Sequence, residues 1–190
     1  TIPESLATDP IWMRLTAAGT RLLVLEQQHP LHFQATPSDA SPAGYDGRMS
    51  FSQNLEHPVF AGLGQHDLSF WNSDHIVYRN IYTKPSRGAA SLAHADSKLG
   101  YSALLFSPLE DSAMLLSQYA IGEKLDSNIV AQTLFDNMAG FLVDYEQTIR
   151  PTALVAESGG PLQQLADSAS LKYKLSQDHI EALKQHEGGI

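Results

Sequence analysis

The apolar residues of this chain fall into short unbroken runs and one long stripe at helical spacing. The first run, Arg21-Leu22-Leu23-Val24-Leu25, shows no alternation, as expected of a strand covered on both faces, and it ends in the polar Glu26-Gln27-Gln28. Ahead of it, Asp9-Pro10 opens a helix: a carboxylate that can cap stands before a proline whose fixed φ suits the first turn. Ile11, Trp12 and Leu15 share one face of that helix, and Gly19 supplies a left-handed stop. Helix, glycine turn and buried strand together predict a unit of a parallel α/β sheet. The ligand crevice of such a sheet lies beyond the carboxyl ends of its strands, where Glu26 and Gln27 stand.

Residues 29–57 turn to Pro, Ser, Asp and Gly with scattered aromatics and read as a long loop. Short helical turns are predicted at 57–63 and 67–71, and short strands at 76–78 and 89–93. The clearest antiparallel signal pairs Ser102-Ala103-Leu104-Leu105-Phe106-Ser107 with Ala113-Met114-Leu115-Leu116-Ser117-Gln118-Tyr119 across the polar turn Pro108-Leu109-Glu110-Asp111-Ser112. A helix capped by Asp126 or Ser127 and running to about residue 145 carries Ile129, Val130, Leu134, Phe135, Met138, Phe141 and Leu142 in a wide apolar stripe, so it covers a sheet face. After Arg150-Pro151 a β-α-β pattern restarts: a strand at 152–156, the turn Ser158-Gly159-Gly160, a helix from Pro161, and a strand at 171–175. A last polar helix is expected at 178–185. The chain therefore divides into an α/β domain, 1–150, and a segment, 151–190, that completes the same sheet or opens a second domain. Completion is the expected outcome, because a lone β-α-β unit buries little surface.

Charge narrows the function classes. Lys and Arg number 12 against 21 Asp and Glu, a net charge of −9 with His neutral, and no basic run exists to recruit a polyanion. Nucleic acid is therefore not an expected partner. An anionic membrane surface is disfavoured for the same reason, and no stretch approaches the roughly 18 to 20 apolar residues of a spanning helix. Cysteine is absent, which removes disulfides, thiolate metal sites and any cysteine nucleophile, while leaving the compartment open. A start at Thr1, without Met or a signal-like apolar core, reads as a processed product or an excised piece of a longer protein.

Candidate chemistry is thin. No Gly-x-Ser-x-Gly elbow occurs, and Glu157-Ser158-Gly159-Gly160 fits neither dinucleotide nor phosphate-loop spacing, so it reads as an ordinary turn. No cofactor motif is present. His66-Asp67, Asp74-His75 and His94-Ala95-Asp96 pair imidazole with carboxylate, but none has the spacing that brings two imidazoles to one metal ion. Glycoside chemistry needs two acids about 5 to 10 Å apart. Glu26 is the best placed, with Glu110, Asp111 and Asp74 as companions. Trp71, followed by Asn72, Asp74 and His75 and with Tyr78 and Tyr82 near, offers a platform for a sugar ring, although packing with Phe60, Leu63, Leu68 and Phe70 is the expected role of such an indole. The candidate ligand crevice is thus Glu26, Gln27, Trp71, Asp74 and His75, with no catalytic, cofactor-binding or metal residue assigned.

Several segments in order carry a family likeness: Gly19-Thr20-Arg21-Leu22-Leu23-Val24-Leu25-Glu26-Gln27, His57-Pro58-Val59-Phe60-Ala61-Gly62-Leu63, Asp67-Leu68 with Trp71, the hairpin ending Leu116-Ser117-Gln118, and the helix at 128–145. Over residues 9–145 the chain resembles the glutamine-amidotransferase-like domain that serves as an accessory module in some bacterial glycoside hydrolases, notably of family 2 and the β-galactosidase type. The resemblance implies a three-layer, flavodoxin-like α/β fold: a mostly parallel sheet with helices on both faces and an antiparallel hairpin at one edge. Amidotransferases of that fold use a cysteine on a nucleophile elbow and a downstream His-x-Glu pair. This sequence has Glu26-Gln27 near the expected nucleophile position and no cysteine, so release of ammonia from glutamine is not supported.

What the resemblance implies instead is a catalytically silent accessory module of a carbohydrate-active protein, periplasmic or extracellular, whose partners are the other domains of its parent. It leaves open saccharide binding and a homo-oligomer. Two other readings stand beside it: a small hydrolase using Glu26 with a loop histidine such as His75, and a purely structural oligomerisation domain.

Overall fold

The computed structural model describes residues 9–28, 43–96, 98–109, 112–147, 152–180 and 182. In chain order these form α1 (Ile11–Ala17), β1 (Leu22–Val24), two 3-10 turns (Pro58–Phe60 and Gln65–Leu68), β2 (Tyr82–Thr83), β3 (Ala90–Ala95), β4 (Tyr101–Leu109), β5 (Ser112–Ser117), α2 (Ile121–Lys124), α3 (Ile129–Val143), β6 (Thr152–Val155), α4 (Pro161–Ser168) and β7 (Tyr173–Ser176). The expected turn residues Glu110 and Asp111, residues 29–42 of the expected long loop, Arg150-Pro151 and most of the expected helix at 178–185 lie outside the described residues.

Two compact units result, 1–147 and 148–190. In the first, α1 begins where the Ile11 N–H donates to Asp9 Oδ1 at 2.8 Å, and it ends before Gly19, at φ +80°. The unbroken run of β1 is buried from two sides. Leu22 and Val24 pack with Tyr82, Leu105, Met114 and Leu116, a cluster that Trp12 of α1 also reaches. Leu23 faces the larger cluster on the opposite side, built from Leu104, Leu115, Leu134 and Met138. That second side belongs to α3: its Phe141 ring and the Tyr145 ring just beyond its end meet Phe106 with centroids 5.3 and 5.4 Å away. The cap of α3 is Asn128 rather than the expected Asp126 or Ser127: its Oδ1 accepts from the Val130 and Ala131 N–H groups at 2.9 and 3.1 Å.

The sheet corrects the expected fold class. β1 lies parallel to β5, but β5 is antiparallel to β4, and β4 is antiparallel to both β2 and β3. The β4–β5 hairpin therefore lies at the middle of a mixed sheet, not at the edge of a parallel one. A parallel neighbour normally requires a crossover of a dozen or more residues containing a helix, and serial crossovers are what lay helices on both faces. Here the strand beside β1 arrives as half of a hairpin. Between β1 and β2 the described residues hold 3-10 turns and isolated bridges, not a crossover helix. Four α-helices occur among the described residues of the whole chain, and the sheet face opposite α3 is reached by the two-turn α1 through Trp12. The three-layer, flavodoxin-like arrangement with a mostly parallel sheet is overturned on these grounds.

In the second unit, β6 and β7 pair in parallel in a two-stranded sheet and α4 connects them. The glycine turn before α4 is held by that helix: the Gly159 N–H donates to Gln163 Oε1 at 2.7 Å, and Gln164 Nε2 donates to the Gly159 carbonyl at 2.9 Å. An acceptor from the helix itself thus occupies the turn.

Candidate functional site

Just beyond the paired ends of β1 and β5, Gln27 and Gln118 face each other. The Gln27 N–H donates to Gln118 Oε1 at 2.6 Å, and Gln118 Nε2 donates to the carbonyls of Gln27 and Asn80 at 2.8 and 2.7 Å. Asn80 Nδ2 donates to the same Gln27 carbonyl at 2.8 Å, and the Tyr82 hydroxyl donates to Gln27 Oε1 at 2.7 Å. Both glutamine side chains are buried, as are Val77, Ile81 and Tyr82 around them. Burial also pushes the Tyr82 hydroxyl well above its ordinary pKa, so it stays a neutral donor. The place where an α/β sheet would hold its ligand is filled by the chain's own segment 77–82. A buried amide network of this kind is strong because it lies in a medium of low dielectric.

Glu26 is half-buried one residue earlier. Its Oε1 accepts from the Gly122 N–H at 2.7 Å and, more loosely, from the Glu123 N–H at 3.4 Å, at the opening turn of α2. Those amides have no partner within their own helix, and the carboxylate supplies one. The approach is close: a Cβ on Gly122 would lie 3.2 Å from Glu26 Oε2. Burial raises the Glu26 pKa above its usual value while the Gly122 and Glu123 amides pull it back down.

Residues 72–80 and α2 meet in a charged cluster. Asp74 Oδ1 accepts from the Lys124 ammonium and from the Ile76 N–H, the latter at 2.9 Å, and Asp74 Oδ2 lies 3.2 Å from Arg79. Lys124, buried, also donates to the Asn72 carbonyl at 2.8 Å. Arg79 grips both oxygens of Glu123, at 2.6 and 2.9 Å, and reaches Asp46 at 2.9 Å. The two-bond fork onto Glu123 is a geometry that guanidinium provides and ammonium does not. The hydrogen bond from Lys124 is the main reason the Asp74 carboxyl is held at about 2, and that from Arg79 holds Glu123 below its usual range. Near neutral pH both carboxyls are ionised and unable to donate a proton.

The structure thus brings Glu26 and Asp74 to the same short helix, Glu26 on its first amides and Asp74 on Lys124, with Gln27 in the adjoining amide network. Trp71 lies elsewhere: it is 2% exposed, stacked on Tyr119 with centroids 5.6 Å apart, and its indole N–H donates to the Asp67 carbonyl at 2.7 Å. His75 is exposed at φ +66°, with its ring edge-on to Phe70, and no hydrogen bond or ion pair joins it to Glu26. His66 lies 3.3 Å from Asp67 at the surface, and His94 Nδ1 pairs with Ser91 Oγ at 2.9 Å. Among the described residues no group of three or more His, Asp or Glu side chains is placed to hold a metal ion, and no helix is long and apolar enough to cross a membrane.

Gln118, Arg79 and Lys124 were not among the residues singled out from sequence. A signal for the two cations existed: each stands near acids, Asp74 before Arg79 and Glu123 before Lys124, in a chain poor in cations. Gln118 carried none, since it closes an apolar strand as any polar residue might. Comparison with known proteins finds no matching family model, no matching curated protein and no matching solved structure.

Proposed function

We propose that residues 9–147 form a catalytically silent accessory module of a larger carbohydrate-active protein, working through contacts with that protein's other domains. The observation that carries the silent part is the filled strand end: Gln27, Asn80, Tyr82 and Gln118 hydrogen-bond to one another where a substrate would lie. A general acid or base needs a reacting atom within hydrogen-bond reach and a place for that atom to sit. Glu26 is instead directed at the α2 amides, and Asp74 at Lys124 and Arg79. A hydrolase built on Glu26 and His75 has no support in this geometry. The carbohydrate part rests on the sequence resemblance over residues 9–145.

The test is a panel of aryl glycosides incubated with the full chain and with its Glu26→Gln variant. Neither protein should release aryl alcohol above the buffer rate. Turnover by the native chain that disappears in the variant would overturn the proposal, since it would make Glu26 a reacting group.

A further inference from the structure

Two histidines stand where the segment 51–61 is fastened to the first unit. At its start, Phe51 and His94 of β3 exchange backbone hydrogen bonds at 2.7 and 2.6 Å across an isolated antiparallel bridge. Toward its end, the turn Pro58–Phe60 buries Val59 and Phe60, and Asn137 Nδ2 of α3 donates to the Val59 and Ala61 carbonyls at 3.3 and 2.9 Å. Residues 52–58 between these points are exposed or half-buried.

His57 caps that turn with its ring: Nδ1 accepts from the Val59 N–H at 3.3 Å. Only an unprotonated Nδ1 can do so, and a proton there sets N–H against N–H. The ring lies against Phe141 of α3 and Phe106 of β4, with centroids 4.8 and 6.4 Å away. Neither phenyl ring carries a lone pair for a new N–H. No charged group on either element acts on His57, and burial alone lowers its pKa.

His94 is 5% exposed, and a chain of hydroxyls fixes its tautomer. Ser102 Oγ donates to the Ala93 carbonyl at 3.0 Å and Ser91 Oγ donates to Ser102 Oγ at 2.8 Å, so Ser91 accepts from the His94 Nδ1–H at 2.9 Å. Nε2 then carries a bare lone pair, with no hydrogen-bond partner among the described residues. A proton on it would be a buried donor without an acceptor, in the field of Lys84, the one charged group that acts on this ring. Burial first and Lys84 second hold its pKa below the ordinary value.

We propose that residues 51–61 form an acid-sensitive latch: protonation of His57 and His94 shifts the equilibrium toward a state in which this segment detaches from α3 and β3 and exposes Val59 and Phe60. Both rings bind a proton more readily once detached. Attachment is therefore at full strength above the ordinary histidine value of 6.5 and weakens as pH falls below it. Because Val59 and Phe60 are buried, the detached state is a minority that hydrogen exchange can read.

Amide hydrogen exchange of the full chain is followed by mass spectrometry at about pH 7.5 and about pH 5.0, with rates corrected for their intrinsic pH dependence. Protection over 51–61 should fall at least about tenfold at the lower pH, while β4 and β5 keep theirs. Asp74 and Glu123 stay ionised over this range and do not contribute. Asparagine offers a polar atom where Nδ1 stands and cannot be charged, so the double variant His57→Asn, His94→Asn should keep the same protection at both pH values. His57→Asn alone should remove about half of the change on a logarithmic scale, a readout that does not require replacing the buried His94. No fall in native protection over 51–61, a fall of undiminished size in the variants, or an equal loss across β4 and β5, which would mean unfolding of the whole unit, would each overturn the proposal.

Discussion

Replacing Trp71 with alanine is expected to destabilise the chain by about 3–5 kcal/mol, the range for removing a buried aromatic from a packed core. Urea unfolding followed by far-UV circular dichroism measures it. The indole is stacked on Tyr119, and its N–H holds the carbonyl of Asp67 in the second 3-10 turn. Tyr119 in turn shares a 2.8 Å hydrogen bond with Ser50. Truncation therefore opens a void beside Val59, Phe60 and Leu68, members of the same cluster, and frees a carbonyl as well. A surface platform for a sugar ring would behave differently, leaving stability within about 0.5 kcal/mol when truncated. A loss under about 1 kcal/mol would contradict the core assignment.

Gln118→Leu is the second large effect, about 3 kcal/mol or more in the same assay. Leucine preserves bulk but withdraws one acceptor and two donor contacts. The Gln27 N–H and the Asn80 carbonyl lose their Gln118 partner, while the Gln27 carbonyl keeps its bond from Asn80 Nδ2. Buried polar groups left unpaired cost about 1–3 kcal/mol each; Gln27 is buried and Asn80 half-buried. If the variant were as stable as the native chain, the two glutamines would not be joining the strand end to the segment that fills it.

What could be read from the sequence was local, and what could not was pairing. The unbroken run of β1 announces burial on two faces, and the structure covers it on both, but nothing in Leu22-Leu23-Val24 says that its parallel neighbour comes from a hairpin. That ambiguity lies behind the expectation of a parallel α/β unit, to which the family resemblance adds the flavodoxin-like arrangement. The hairpin and the α3 stripe were legible because each lies within a continuous stretch with its own period. The α3 cap was missed by a residue or two because Asp126, Ser127 and Asn128 are all good caps, and chain geometry picks among them.

The site shows the same limit. Placing Glu26 and Gln27 at a strand end required only the run before them. Their partners, Gln118 and Asn80, stand 91 and 53 residues from Gln27, beyond any local signal.

The central claim is that Glu26 is a structural cap on α2 rather than a reacting group, and a stability titration of two variants tests it most directly. Glutamine keeps an acceptor for the Gly122 N–H but cannot ionise; alanine keeps neither property. Because the folded carboxyl has a raised pKa, its protonated form is favoured by folding. The contribution of Glu26 to native stability, read as the difference from Glu26→Gln, should therefore be fully present below the ordinary pKa of 4.5 and decline as pH rises through the folded value. Glu26→Gln removes that contribution and, near pH 7, should match or exceed the native chain, while Glu26→Ala should be less stable than Glu26→Gln by about 1 kcal/mol. Identical stability of the two variants across the titration would contradict the account, since the amides of α2 would then have no need of the side chain.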